Sequence, residues 1–191
     1  VGSEMCIRDS LKLILSGVGG QGVLFATSVF SETALSLGYD VLGSETHGMS
    51  QRGGSVISHL KIGPYESPLV RQGTADVLLA FDEQEAYRTL SFLEQGGLCF
   101  VSSARGDFWD EGVREYLTRY GIVAHSYPAD EVALSLGSPR SANLVLIGCA
   151  LSEPGLPFTP EQIRETIERI TPPRFREPNL KAFDAGFRRE R

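Results

Sequence analysis

The stretch KLILSGVGGQG, residues 12–22, decides the fold of this chain. Its first half, Lys12–Ser16, is a short apolar run that predicts a buried strand, and the glycines that follow predict a tight turn. Beyond the turn, apolar residues recur at helical spacing from Val23 to Leu37, and Gly38 is a natural helix end. The segment therefore predicts a strand, a glycine turn and a helix in direct succession.

The rest of the chain alternates apolar strands with amphipathic helices. Five further strands are predicted, at Asp40–Ser44, Ser55–Ile62, Asp76–Phe81, Leu98–Val101 and Ile122–Ser126. Helices are predicted at Glu83–Leu93, at Asp110–Tyr120, at Asn143–Leu151, from Thr159 to the prolines Pro172 and Pro173, and within Asn179–Arg191. Strands that are apolar throughout are buried on both faces, as in parallel sheets covered by helices. We therefore expect an α/β fold of three layers with a mostly parallel, Rossmann-like sheet and C-terminal helices.

The composition is typical of one globular domain. The chain has 191 residues, 41% hydrophobic and 22% charged, and its 18 Lys+Arg against 24 Asp+Glu give a net charge of −6. An acidic chain offers no basic face to nucleic-acid phosphates, and no apolar run reaches the roughly 18 residues that a membrane span needs. We expect a single domain over residues 11–191. Residues 1–10, VGSEMCIRDS, follow neither structural period and have no signal-peptide core, so they are expected to be a non-native leader.

The cysteines argue against a metal site in this chain. Cys6, Cys99 and Cys149 are far apart in the sequence and form no CxxC pair. Cys99 and Cys149 lie in apolar runs, so we expect both to be buried, reduced thiols. Reduced thiols fit a cytoplasmic protein.

The glycine turn, residues 17–22, matches the GxGxxG pattern. Directly after a strand and before a helix, this pattern is typical of a dinucleotide site, because glycines let a pyrophosphate approach the helix N-terminus. Glu45, near the end of the second predicted strand, would then bind a ribose hydroxyl. The alternative is that the glycines only let the helix pack tightly against the sheet. The residues of the turn that either interpretation uses are Gly17, Gly19, Gly20, Gln21 and Gly22.

A second polar segment, residues 44–54, lies between the second and third predicted strands. It follows neither period, so we expect a surface loop, and loops of this kind often carry function. Arg52, followed by two glycines, is the best candidate for binding an anionic group, because guanidinium pairs bidentately with carboxylates and phosphates. A solvated loop whose glycines only make turns is the alternative. The candidate contact residues are Ser44, Glu45, His47, Gln51, Arg52, Gly53 and Gly54.

Six dispersed motifs together resemble one protein family. They are GVGGQG at 17–22, SETHGMSQRGGS at 44–55, Ser67–Leu69, ADVLLAF at 75–81, Asn143 with Leu146 and Gly148, and NLKAFDAG at 179–186. The chain resembles the gamma-type domain of the 2-oxoacid:ferredoxin oxidoreductases, and in particular those that oxidise indolepyruvate. The resemblance covers nearly all of residues 11–186.

The resemblance implies a subunit of an enzyme that oxidatively decarboxylates indolepyruvate or another aryl pyruvate to its acyl-CoA and reduces ferredoxin. It also implies that thiamine diphosphate, Mg and the iron–sulfur clusters belong to a larger alpha-type partner subunit, with coenzyme A as co-substrate. This chain would bind none of these cofactors alone, would be inactive alone, and would meet ferredoxin only through the complex. Its own part would be to shape the active site and the partner interface.

Two other functions remain open on the residues. The GxGxxG turn would fit a stand-alone NAD(P)- or FAD-binding oxidoreductase. A non-catalytic assembly domain would fit the lack of a self-contained active site. Fold alone does not separate these functions.

Overall fold

A computed structural model describes residues 10–48 and 53–189 of the chain. The strands are β1 Leu11–Val18, β2 Val41–His47, β3 Ser55–Ile62, β4 Ala75–Ala80, β5 Leu93–Ser102 and β6 Val123–Tyr127. The α-helices are α1 Val23–Ser36, α2 Glu83–Thr89, α3 Glu111–Tyr120, α4 Ala129–Ser135, α5 Ala142–Leu151, α6 Pro160–Ile170 and α7 Pro173–Arg188. Short 3-10 turns at Leu90–Phe92 and Pro139–Ser141 complete this set.

The six strands form one sheet in the order β2-β3-β1-β4-β5-β6. Strands β1, β4, β5 and β6 are parallel, as predicted, whereas β3 runs antiparallel to both β1 and β2. The sheet is therefore mixed, because the connection from His47 to Ser55 is far shorter than the dozen or more residues of a parallel crossover. The predicted three-layer α/β fold is confirmed, with β2–β3 as a hairpin at one side.

Successive side chains of β1 pack alternately into two hydrophobic cores, one on each face of the sheet. Leu13 and Leu15 belong to the core under α1, α5, α6 and α7, and Ile14 belongs to the core under α2 and α3. All three side chains are fully buried. This burial on both faces explains why the strand is apolar throughout, since neither of its sides meets water.

Several predicted element boundaries shift in the structure. The helix predicted at Glu83–Leu93 ends at Thr89, and Leu93 already begins β5. The last helix starts at Pro173 rather than in the tail, and α4 was not predicted. The helix predicted from Thr159 is α6, and Thr159 caps it in a capping box with Gln162. Residues 1–9 of the expected leader lie outside the described residues.

Helices α5 and α7 pack with their backbones almost in contact. Gly148 of α5 lies against the backbone of Phe183 and Phe187, and Gly186 of α7 lies against the backbone of Val145. Helix α5 is buried along nearly its whole length. Two of the six motifs noted above, one around Gly148 and one ending at Gly186, thus form a single contact.

Within residues 10–48 and 53–189, every helix falls short of the length and apolarity that crossing a bilayer requires.

His59 makes folding dependent on pH. Its ring is buried, packs edge-on against Phe92, and accepts a hydrogen bond at Nδ1 from the Val70 N–H (3.2 Å). Burial, with a smaller contribution from the charge of Lys61, lowers the pKa of His59 below its ordinary value of 6.5. The unfolded chain therefore binds more protons near that pH, and the stability contribution of neutral His59 is lost as the pH falls below 6.5.

We expect the free energy of unfolding, measured by urea titration, to decline from pH 7.5 to pH 5.5 in the wild type. In His59→Asn, which keeps an acceptor for Val70, the decline should be smaller. His125, whose pKa is also lowered by burial, should supply part of the remaining decline. Equal declines in wild type and variant would contradict the assignment to His59.

Candidate functional site

The carboxyl ends of β1, β4, β5 and β6 lie at one edge of the sheet. The connecting end of the β2–β3 hairpin, between His47 and Ser55, lies at the same edge, because Val18 at the end of β1 pairs with Ser55 at the start of β3. Open α/β sheets bind ligands at this edge, where loops and helix N-termini converge. The two segments singled out from the sequence both reach it.

Gln21 organises the glycine turn. Its Oε1 accepts a hydrogen bond from the Val18 N–H (2.7 Å), and its Nε2 donates to the carbonyl oxygen of Phe81 (3.1 Å). The side chain thus joins the ends of β1 and β4. A Cβ on Gly17 would lie 2.8 Å from this Oε1, so the first glycine makes room for the glutamine.

Asn143 of α5 occupies the other side of the turn. Its Nδ2 donates to the carbonyl oxygen of Gly22 (3.0 Å), and its Oδ1 accepts from the Leu144 N–H. Gly22 has φ +77°, and a Cβ there would lie 2.5 Å from Nδ2. Gly17 and Gly22 therefore make room for side chains of this chain, which is the kind of packing role that the second interpretation of GxGxxG supposes.

The position of Glu45 also departs from the dinucleotide pattern. In that pattern the acidic residue ends the strand beside the glycine turn. Here β3 lies between β1 and β2, which places Glu45 two strands away, roughly 10 Å at the usual strand spacing. The position of Glu45 therefore does not match the ribose contact that the dinucleotide pattern requires.

Glu45 and His47 do not belong to a loop, contrary to the sequence prediction, and they continue the strand that was predicted to end at Ser44. Ser44, Glu45 and His47 all lie in β2 and pair with His59, Ser58 and Val56 of β3. The prediction was wrong because β2 is the outermost strand, where polar residues replace the apolar alternation that identifies a buried strand. Glu45 and His47 are exposed on this strand. Gln51 and Arg52 lie outside the described residues.

The glycine turn meets Gly53 and Gly54, the described end of the hairpin connection (residues 48–54), at the sheet edge. The Gly19 N–H donates to the carbonyl oxygen of Gly54 (2.9 Å), and the Gly48 N–H donates to that of Ser55 (2.8 Å). A Cβ on Gly19 would come within 3.6 Å of the Gly54 oxygen. The two sequence motifs thus form one structure, with Gly53 and Gly54 beside the turn.

A buried acid, Glu85, lies next to this junction and was not predicted from the sequence. Glu85 of α2 is 2% exposed, and its Oε2 accepts a hydrogen bond from the Ser55 hydroxyl (2.5 Å). Its Oε1 accepts from Arg88 (2.6 Å). The only signal in the sequence is the placement of Glu85 beside Ala86 and four residues before Thr89, on the buried face of α2.

The edge is electrically polarised on either side of Gln21 and Asn143. On the α7 side, a groove of about 590 Å³ includes Arg140 and Arg174 and no acidic residue among its lining. On the β5–β6 side, a hollow of about 490 Å³ includes Asp82, Glu83 and Asp130. A smaller cavity of about 170 Å³ beside Gln21 lies between them. An anionic group approaching this edge would be drawn to the α7 side.

The acidic side carries its own ion pair. Glu83 pairs with Arg105 and accepts a hydrogen bond from the Ser103 hydroxyl (2.6 Å). The hydrogen bond from Arg105 holds the pKa of Glu83 below its ordinary value. Because this acid stays ionised, it is unsuited to donate a proton near neutral pH.

The described residues do not fit an iron–sulfur cluster or a metal-bound diphosphate. Within that part of the chain, no three His, Cys, Asp or Glu side chains cluster as metal ligands. Cys99 and Cys149 lie in the cores on opposite faces of the sheet. Burial raises the pKa of Cys99 to about 12 and raises that of Cys149. Cys6 lies outside the described residues. We therefore derive no chemical step through such groups on this chain.

The family follows from comparison with known proteins. Residues 12–189 match the pyruvate ferredoxin/flavodoxin oxidoreductase family, so the chain belongs to it. It is a subunit of a 2-oxoacid:ferredoxin oxidoreductase, an enzyme whose electron acceptor is an iron–sulfur protein.

Individual relatives match this chain over nearly their whole length. Indolepyruvate oxidoreductase subunit IorB of Thermococcus kodakarensis is 35% identical over 187 residues, which cover 91% of this chain and 93% of the relative. Subunit IorB of Archaeoglobus fulgidus is 32% identical over 189 residues, 93% of this chain and 94% of the relative.

The solved gamma subunit of a keto/oxoacid ferredoxin oxidoreductase from Geobacter sulfurreducens is similar in structure. Its TM-score is 0.71 at 25% identity, and the match covers 93% of this chain and 96% of that chain.

Proposed function

We propose that this chain, as one domain from residue 11 onward, is the smaller subunit of an indolepyruvate:ferredoxin oxidoreductase of the cytoplasm. Relatives named for indolepyruvate are 32% to 35% identical, whereas those named for ketoisovalerate and 2-oxoglutarate are 27% to 30% identical. The difference supports indolepyruvate or another aryl pyruvate over branched-chain or dicarboxylic oxoacids.

The reaction needs groups that the described residues do not hold. A 2-oxoacid loses CO2, its acyl group forms a thioester with the thiol of coenzyme A, one proton is released, and two electrons pass to ferredoxin. Thiamine diphosphate with Mg would supply the carbanion chemistry, and iron–sulfur clusters would carry the electrons. We place these cofactors on an alpha-type partner subunit, which leaves this chain inactive alone and brings it to ferredoxin through the complex.

This chain would contribute the carboxyl-end edge of its sheet to the active site and the partner interface. The meeting of the glycine turn with the hairpin connection is the observation that carries this proposal. Arg52 would bind the carboxylate of the substrate or a phosphate of coenzyme A. Gly53 and Gly54 would let that anionic group approach the backbone. Ser44, Glu45 and His47 would contact the partner, since β2 is the outer strand of the sheet. Gln51, next to Arg52 in the sequence, would contact it as well.

Arg52→Ala tests this role in the complex. A charge-assisted hydrogen bond is worth about 1.5–3 kcal/mol, so we expect kcat/KM to fall roughly 10- to 100-fold. The assay is ferredoxin reduction by the chain co-expressed with its alpha-type partner, with indolepyruvate, coenzyme A and thiamine diphosphate. Arg119→Ala, an exposed arginine on α3, is the control and should leave the rate unchanged.

The assay also separates the alternatives. Reduction must require both chains. Activity of the partner that is unaffected by this chain, together with stoichiometric NAD(P) or FAD binding by this chain, would replace the proposal with a stand-alone nucleotide-binding enzyme. Assembly without any effect of Arg52→Ala would indicate an assembly domain.

A further inference from the structure

We propose that Glu85 is a positioning residue that fixes the end of the hairpin connection, Gly53–Ser55, against the glycine turn. The inference rests on the proposed function, because it supposes that this junction shapes the active site. It assigns a role to a buried acid that the reaction itself does not use.

The tether is a single hydrogen bond from a residue directly after the two glycines. The Ser55 hydroxyl donates to Oε2 of Glu85 at 2.5 Å, and Arg88 donates to the other oxygen at 2.6 Å. A carboxylate as buried as this one is costly unless both oxygens are satisfied. The Glu85 side chain therefore has a strong preference for the one arrangement that keeps Ser55 in place.

Three bonds converge on this short backbone segment. The carbonyl oxygen of Gly54 accepts from Gly19, the carbonyl oxygen of Ser55 accepts from Gly48, and the Ser55 side chain reaches Glu85. Of these three bonds, the one to Glu85 is made by a helix, α2, and the other two by the glycine turn and the residue after β2. Among the described residues, the remaining contacts of this segment are main-chain bonds, and Gly53 and Gly54 lack side chains to pack.

Helix α2 does not need the carboxylate of Glu85 to form. Asp82 caps it by accepting from the N–H groups of Gln84 and Glu85, and the Thr89 hydroxyl bonds both the Glu85 carbonyl oxygen and Ser16. Removing the Ser55 hydroxyl leaves Glu85 paired with Arg88. Ser55→Ala therefore removes the tether and keeps the helix.

The test uses Ser55→Ala, Ser55→Thr and Glu85→Gln in the two-subunit complex. A displacement of about 1 Å of an active-site segment can cost up to 100-fold in rate, so we expect kcat/KM to fall about tenfold in Ser55→Ala. Ser55→Thr keeps the hydroxyl and should restore the rate. The Glu85→Gln side chain still accepts a hydrogen bond but carries no charge, so the kcat/KM of this variant should lie between those of Ser55→Ala and Ser55→Thr. The control is Ser36→Ala, whose hydroxyl donates to the Thr33 carbonyl oxygen at the end of α1.

Hydrogen exchange of the full-length chain gives a second readout that needs no activity. In Ser55→Ala, the Gly19 and Gly48 amides should exchange at least several-fold faster, by more than the loss of overall stability in urea unfolding accounts for. Unchanged exchange at both amides, or a rate loss in Ser55→Ala that Ser55→Thr does not restore, would overturn the role of Glu85.

The two proposals fail differently. If Arg52→Ala lowers the rate and Ser55→Ala does not, the positioning role falls and the proposed function stands. If the complex does not oxidise indolepyruvate but exchange at Gly19 and Gly48 still responds to Ser55→Ala, the proposed function falls and the tether stands.

Discussion

Gly186→Ala is expected to lower the free energy of unfolding by about 3 kcal/mol or more, at the upper end of what overpacking costs. The added Cβ would lie 1.9 Å from the carbonyl oxygen of Val145 and 2.7 Å from its carbonyl carbon. These are main-chain atoms of α5, so no side-chain rotation relieves the contact and the two helices must separate. Separation exposes the buried side chains of α5, above all Leu144 and Ile147.

Urea unfolding followed by circular dichroism measures this effect, with Gly112→Ala as the matched control. Gly112 lies in the first turn of α3, and a Cβ there meets only Asp110 at 3.5 Å. Alanine is favoured over glycine in helices by about 0.5–1 kcal/mol, so the control should be neutral or slightly stabilising. Equal unfolding midpoints for Gly186→Ala and wild type would show that α5 and α7 separate easily.

Gly22→Ala should cost about 2–4 kcal/mol, because two penalties add. A left-handed backbone costs a non-glycine residue roughly 1–2 kcal/mol, and φ at Gly22 is +77°. The new Cβ would also lie 2.5 Å from Nδ2 of Asn143, which is buried and already hydrogen-bonded to the Gly22 carbonyl oxygen.

Gly38→Ala separates these two penalties. Gly38 has φ +85° with nothing within 4 Å of its added Cβ, so this variant should pay only the backbone penalty. In an Asn143→Ala background, Gly22→Ala should also cost less, since the clash is gone. If Gly22→Ala costs no more than Gly38→Ala in urea unfolding, the contact with Asn143 does not constrain the turn.

The local elements of this fold could be predicted from the sequence. The apolar run at β1 and the capping signal Thr159–Pro160–Glu161 report a strand and a helix start through neighbouring residues. Strand β2 was predicted to end at Ser44 because exposure of Glu45 and His47 removes the apolar alternation. The antiparallel setting of β3 follows from a short connection rather than from any residue in the strand.

The contacts that build the site could not be predicted in this way. Ser55 and Glu85 are 30 positions apart, and Asn143 and Gly22 are 121 positions apart. A single sequence carries no record of such pairs, since each residue alone fits an ordinary interpretation: a serine at a strand start, an acid in a helix, a glycine in a turn. The motifs marked the segments of Ser55, Gly22 and Asn143, but not that of Glu85, and they did not show which segments contact each other.

The contact between α5 and α7 also sets an order for folding during synthesis. Domains emerge from the ribosome N-terminal end first, at about 5–20 residues per second. The sheet is complete once β6 has emerged, but α5 is apolar on nearly all sides, and the side that packs against α7 remains uncovered until α7 follows it. Asn143 likewise arrives long after the glycine turn that it holds. The nascent chain therefore exposes its most apolar helix for a few seconds, the period in which a chaperone would be needed most.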